Sequence, residues 1–199
     1  MSQSSCATRH LVLASTSPYR RELLGRLGLP FECARPDADE TPLPGEAPDE
    51  TAARLAVSKA NAVKGAFPDA LIIGSDQVAS CDGRRLDKPG THENATAQLT
   101  FLCGRSASFD TAVCLLDART GRAETRVIAC RVHFRKADAA QIERYLRREQ
   151  PYDCAGSAKA EGLGIALIER IETDDPTSLI GLPLIALTGL LASFGLSPV

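Results

Sequence analysis

Tryptophan is absent from this chain, methionine occurs once, and aromatic residues make up 5% of its 199 positions. Lys and Arg total 23 against 25 Asp and Glu, a formal charge of −2. A protein that grips nucleic acid in bulk needs a broad basic surface with aromatic side chains among the charges, and neither is present. A nucleotide enzyme stays open, because its basic residues need line only one cleft. No Cys-x-x-Cys pair occurs, and the seven cysteines at 6, 33, 81, 103, 114, 130 and 154 are odd in number. That pattern fits neither a disulfide framework nor a zinc site; it suits small apolar core residues in a reducing compartment. His10, His92 and His133 are isolated, without metal-ligand spacing to Cys or Asp. There is no Gly-x-Ser-x-Gly elbow for a serine hydrolase and no Walker spacing. The first apolar run, LVLA, is too short for a signal-peptide core or a membrane span, so a cytoplasmic protein without membrane contact is expected.

What is present is an ordinary globular composition, 44% hydrophobic and 24% charged. The polar start, residues 1–10, is expected to be a disordered segment, and 11–199 a single domain. Leu11–Ala14 reads as a buried strand. Ser17 and Pro18 then suit the N-cap and first turn of a helix carrying Leu23, Leu24 and Leu27, closed by Gly28 and Pro30. Phe31–Ala34 is a second short strand. Residues 36–48, with four prolines and four carboxylates, form a loop. Asp49–Lys64 has an alanine-rich apolar side and predicts a helix. Leu71–Gly74 predicts a buried strand, Cys81–Arg84 a hairpin turn, Thr91–Cys103 a helix and Ala107–Asp117 with Glu124–Phe134 a long antiparallel pair. Asp138–Arg148 predicts a helix, Gly162–Ile168 a strand and Pro183–Phe194 a closing helix. The expected class is α/β, a mixed elongated sheet with flanking helices and two lobes around a deep cleft.

Chemistry concentrates in a few segments. In Ala14–Arg21 a strand meets a helix start, where free N–H groups, Ser15 and Ser17 attract anions. Arg20 and Arg21 oppose the helix dipole there unless an anion sits beside them; otherwise they are ordinary surface arginines. Asp76, in Gly-Ser-Asp-Gln-Val after a buried strand, suits a metal ligand or a base, although a lone aspartate usually caps a turn. Glu40 belongs to an acidic loop and, with Asp76, would suit a hard cation such as Mg²⁺. Lys59 and Lys88, each by itself, would be solvated lysines. Residues 156–164 are glycine-rich and carry Lys159 and Glu161. Asp174-Asp175-Pro176-Thr177 reads as a helix-capping turn.

Taken in order, the segments LASTSPYRRELL, DETP, Lys59-Ala60, GSDQV, Lys88-Pro89, CAGSAKAEGLG and DPTSLIGLPL resemble the Maf family of nucleotide pyrophosphatases over nearly the whole chain. The resemblance implies a mixed α/β fold like that of inosine triphosphatases. It implies hydrolysis of a nucleoside triphosphate to the monophosphate and diphosphate with Mg²⁺ or Mn²⁺, and a homodimer. It places the catalytic acid on Asp76, metal ligands on Glu40 and Asp76, and phosphate-binding residues on Ser15, Arg20, Arg21, Lys59 and Lys88. Within the family, Tyr19, Gln77 and Glu161 resemble the branch that hydrolyses 7-methyl-GTP rather than dTTP and UTP, with Tyr19 where tryptophan is usual. N7-methylation makes the guanine ring a cation, which an aromatic face attracts by about 0.5–2 kcal/mol. A carboxylate accepts from guanine N1–H and N2–H, whereas uracil offers one N–H between two repelling carbonyls. The alternatives are a dTTP/UTP pyrophosphatase and a non-catalytic regulator of cell division. The enzyme reading requires residues 20, 40, 76 and 88 to share one hollow.

Overall fold

A computed structural model describes residues 9–199. The chain forms a seven-stranded mixed sheet flanked by five α-helices. Strands β1 (Leu11–Ala14), β2 (Glu32–Ala34) and β3 (Leu71–Cys81) pair in parallel in the order β2-β1-β3, and β1 is buried along its whole length. Long antiparallel strands β5 (Ser106–Asp117) and β6 (Ala123–Phe134) follow β3, and β7 (Ile168–Thr173) closes that edge. The short β4 (Arg84–Arg85) folds back on β3 through Asp82 and Gly83, both at positive φ, as a tight hairpin requires.

Period-two alternation sends side chains to two cores. Leu11, Leu13, Leu71, Ile73, Val113 and Leu115 pack with helices α1 (Pro18–Gly25) and α5 (Leu184–Ser193). Val12, Ala14, Ile72, Ala112, Cys114 and Leu116 pack with α2 (Pro48–Val63). At the other end of the long strands, α3 (His92–Leu102) and α4 (Ala139–Glu149) pack on each other through Ala95, Leu99, Ile142, Tyr145 and Leu146. These two ends are the lobes. Ser17, Thr91 and Asp138 cap α1, α3 and α4 through their side chains. Asp175 is the expected capping residue, accepting from the Thr177 N–H and from the Ile185 and Ala186 N–H groups of α5.

Two expectations are corrected. The strand expected to end at Gly74 runs on to Cys81, so Asp76 lies inside a strand. What ends near Gly74 is the partner: β1 pairs with β3 only as far as Leu13↔Ile73, and β4 rejoins that side at Ser80. Residues 74–78 therefore have a strand on the β5 side alone, and this open edge is where the cleft forms. The strand expected over Gly162–Ile168 is a 3₁₀ turn, Leu163–Leu167, and the strand begins at Ile168. Gly164 sits so close to Lys159 that a Cβ there would lie 2.4 Å from its carbonyl oxygen, which enforces a tight wrap. The true strand, IERIET, is an edge strand with charged exposed positions and lacks an apolar run. Of residues 1–10, 1–8 lie outside the described residues; the Arg9 guanidinium donates to both Asp117 oxygens at 2.8 and 3.1 Å. No helix among the described residues is long and apolar enough to cross a membrane.

Among the glycines, Gly74 makes the closest approach to neighbouring backbone. A Cβ there would lie 2.0 Å from the Ala56 carbonyl oxygen and 2.9 Å from the Ala60 nitrogen, both backbone atoms of α2. Gly74→Ala must push the helix off the sheet. The expected result is a loss of about 3 kcal/mol in denaturant unfolding, the upper end for overpacking. A second expectation concerns acid. The Arg9 guanidinium holds the Asp117 carboxyl down at about 2. Its stabilisation is complete above the unfolded carboxylate range and is lost as pH falls toward 2. Asp117→Asn should cost roughly 2 kcal/mol at neutral pH and flatten the decline in stability below pH 4, read by unfolding at stepped pH.

Candidate active site

The open edge of β3 borders a cleft of about 870 Å³. On the α2 side of the strand, Asp76 follows Ile72 and Gly74 in alternation and meets Lys59. The Lys59 ammonium donates to Asp76 Oδ1 at 2.6 Å, and the two side chains are only 5% and 9% exposed. Glu40 Oε1 lies 2.9 Å from the same nitrogen, on a side chain 61% exposed. Two carboxylates thus converge on one buried cation. The loop bearing Glu40 is tied to α2 by Arg54, which donates to Glu46 Oε2 at 2.7 Å and to the Thr41 carbonyl at 3.2 Å. Arg54 holds the Glu46 carboxyl at about 2, so that tie is ionised throughout the neutral range.

On the opposite side of β3, Ser75 and Gln77 face the 3₁₀ turn Pro176–Ile180. The Gly181 carbonyl accepts from Ser75 Oγ at 3.0 Å and from Arg20 Nε at 2.8 Å, which aims the arginine into the cleft. Burial pulls the Arg20 pKa down while Asp76 and Glu40 pull it back up, placing its charge near theirs. Ser15 Oγ accepts the Ser17 N–H at 3.1 Å, leaving its hydroxyl proton for another acceptor. Lys88 lines the rim, exposed and without a salt-bridge partner among the described residues. Residues 20, 40, 76 and 88 therefore share one hollow.

Of the residues singled out from sequence, Ser15, Tyr19, Arg20, Glu40, Lys59, Asp76, Gln77, Lys88 and Glu161 all line this cleft. Arg21 does not: it is exposed, and the rotation of about 100° between neighbouring helix positions turns it away from Arg20. The Gln77 amide nitrogen is committed to Thr111 Oγ1 and the Ser178 and Leu179 carbonyls at 2.9–3.2 Å, so only its carbonyl oxygen is left for a ligand.

Other charged residues also line the cleft, Asp37, Asp39, Arg85 and Asp87 among them, and three bear on the argument: Arg35, Asp153 and Lys159. Arg35 directly follows β2 as Ser15 follows β1, and the ends of parallel strands were the available signal. Asp153 and Lys159 meet Tyr19 only through the fold. The Tyr19 hydroxyl donates to Asp153 Oδ2 at 3.0 Å, and Lys159 Nζ stands 5.6 Å from the Tyr19 ring centroid. Burial raises the Tyr19 pKa; Lys159 beside the hydroxyl pulls it back down and Asp153 adds to the rise. Lys159 is raised as well: burial pulls it down, but Tyr19 and Asp153 outweigh that. Neither signal exists in the linear sequence, because 134 positions separate Tyr19 from Asp153.

For a metal, the described residues hold no cluster of three or more His, Cys, Asp or Glu side chains. Of the carboxylates lining the cleft, Glu40 and Asp76 are the two that converge on one point, and both are hard oxygen ligands. One or two carboxylates completed by substrate phosphates is the donor set Mg²⁺ ordinarily takes.

Residues 10–194 match the family described as Maf-like protein. The 7-methyl-GTP pyrophosphatase of Thiobacillus denitrificans (strain ATCC 25259 / T1) is 60% identical over 185 residues, 93% of this chain and 92% of the relative. That of Cupriavidus pinatubonensis (strain JMP 134 / LMG 1197) is 58% identical over 185 residues, 93% of each chain. That of Paraburkholderia xenovorans (strain LB400) is 56% identical over 198 residues, 98% of this chain and 97% of the relative. A match across the domain and relatives this similar over almost their full length lead to one conclusion: the chain belongs to the Maf family.

Proposed function

We propose that this protein hydrolyses 7-methyl-GTP to 7-methyl-GMP and diphosphate. The observation that carries the reading is the convergence of Asp76 and Glu40 on the buried Lys59 in a cleft that Tyr19 and Glu161 also line. The named activity of the relatives supports it.

The triphosphate lies with its tail toward Arg20, Lys59 and Lys88, and Ser15 donates its hydroxyl to a phosphate oxygen. Asp76 orients a water toward the α-phosphorus and takes its proton. The water oxygen bonds to phosphorus as the α–β bridge breaks, and diphosphate departs with the bridging oxygen. Lys59 keeps the Asp76 carboxylate in place and offsets phosphate charge. Glu40 and Asp76 would hold a Mg²⁺ or Mn²⁺ ion, which supplies charge neutralisation to the phosphate oxygens. At the base end Tyr19 stacks on the cationic ring, and Glu161 accepts from the N1–H and N2–H groups. The carboxylate disfavours uracil, whose N–H is flanked by carbonyls. A cytoplasmic location and a homodimer complete the proposal. The location is supported by six free cysteines among the described residues; light scattering of the purified protein tests the dimer.

Asp76→Asn should lower kcat by about 10²–10⁴-fold, as loss of a positioned base does. Circular dichroism of the same sample should show the fold retained; parental turnover would remove Asp76 from the chemistry. The nucleobase is tested by diphosphate release from 7-methyl-GTP, GTP, dTTP and UTP with Mg²⁺, Mn²⁺ or EDTA. The 7-methyl-GTP rate should lead and vanish in EDTA. Glu161→Gln should cut the preference for the methylated base by roughly 1.5–3 kcal/mol, the worth of a hydrogen bond to a charged group. A wild-type preference for UTP would favour the other family branch.

A further inference from the structure

The base end of the cleft already holds a cation. Lys159 Nζ lies 5.6 Å from the Tyr19 ring centroid, within cation–π range, and 3.6 Å from Asp153 Oδ1. Tyr19 donates to the other oxygen of the same carboxylate. The three side chains thus close a triangle, and Lys159 is only 18% exposed.

A surface lysine usually keeps its freedom, but this one is held at its root. Its N–H donates to the buried Tyr145 hydroxyl at 3.0 Å, its carbonyl accepts the Gly162 N–H at 3.1 Å, and Gly164 packs against its backbone. Three backbone restraints aim the ammonium at Tyr19. Glu161, two residues on, lines the same cleft and has no ion-pair partner among the described residues.

We propose that Lys159 is a resident competitor for the base subsite: its ammonium holds the stacking face of Tyr19 until the positively charged ring of a methylated guanine takes that place. This rests on the 7-methyl-GTP reading above. Base binding is then an exchange of cations, with Asp153 and Glu161 compensating whichever cation is present. A neutral base that displaces the ammonium loses the cation–π contact, whereas the methylated ring restores it. The exchange also acts after the chemistry. Once the α–β bridge breaks, the monophosphate has lost the tail that Arg20, Lys59 and Lys88 hold, and the returning ammonium displaces its base. Lys159 is therefore a positioning residue that weakens product binding.

That sign separates the proposal from its rivals. A lysine that donated to the base, or merely braced the loop, would weaken binding when removed. Binding of 7-methyl-GMP is read from the fluorescence of the methylated guanine, quenched on stacking. Lys159→Met should lower the product Kd roughly twofold to thirtyfold, the range of one cation–π contact. Lys159→Arg, which keeps the charge, should stay near wild type. An unchanged or higher Kd in a Lys159→Met protein with wild-type melting overturns the exchange. Should that variant fail to fold, the wild type is treated with an amine-acylating reagent and Lys159 followed by mass spectrometry. Bound 7-methyl-GMP should raise its reactivity, and protection would refute the proposal. A wild type that binds UMP more tightly than 7-methyl-GMP overturns the base assignment itself; a 7-methyl-GMP preference with no gain in Lys159→Met overturns the exchange alone.

Discussion

A buried ammonium must be met by negative charge, and at Lys59 two carboxylates meet it from different parts of the chain. Asp76 comes from the middle of a strand and Glu40 from a proline-rich loop. The contact exists because α2 lies almost on the sheet, with Ala56 and Ala60 against a glycine that has no Cβ. A larger side chain at Gly74 would separate helix and strand, and Lys59 with them. Replacing a buried ion pair by well-packed apolar groups is often neutral or stabilising, so stability alone is a poor reason to keep one. Its position at the wall of a polar cleft gives the better reason: the pair holds a carboxylate in fixed orientation where a ligand can reach it.

The same strand serves both walls. Successive residues point to opposite faces, so Asp76 meets α2 while Ser75 and Gln77 meet the turn after Asp175. Asp175 in turn caps α5 and fixes that turn, and the Gly181 carbonyl at its end orients Arg20. A chain of hydrogen bonds therefore runs from a helix cap to a cleft arginine. This separates Gln77 from Glu161. The Gln77 nitrogen is consumed in holding the wall, so it shapes the site through its carbonyl oxygen and its packing. Glu161 is exposed and has no ion-pair partner among the described residues, which supports the base-recognition role proposed for it.

Apolar periodicity made β1, α1, α2, the β5–β6 pair and the closing helix legible in the sequence, because each buries a face whose pattern is local. The hairpin at Asp82-Gly83 was legible for the same reason: its positive φ values demand particular residues. β3 was cut short because Ser75, Asp76 and Gln77 look like a polar loop; their burial comes from the cleft walls. β7 was missed because an edge strand needs charges and carries no apolar run. Arg20 and Arg21 looked equivalent on paper, but helix rotation and the Gly181 carbonyl choose between them. Motif resemblance gathered most of the site residues into one expected pocket, but the Tyr19–Asp153–Lys159 triangle depends on positions far apart in the chain.

Two cations of the cleft already have partners within the chain: Lys59 with Glu40 and Asp76, and Lys159 with Asp153. A ligand that enters has to replace internal partners, which favours one whose own charges are arranged to match. Glu40 is the more exposed partner of Lys59 and sits farther from it than Asp76 does, so it detaches at less cost. Phosphate oxygens can take its place on the ammonium while Asp76 keeps its bond. At Lys159 the replacement must be positive. A polyphosphate tail joined to a cationic ring satisfies both requirements in one molecule. An ordinary nucleotide satisfies only the first, and leaves Asp153 and Glu161 facing a neutral base without the cation that Tyr19 had held.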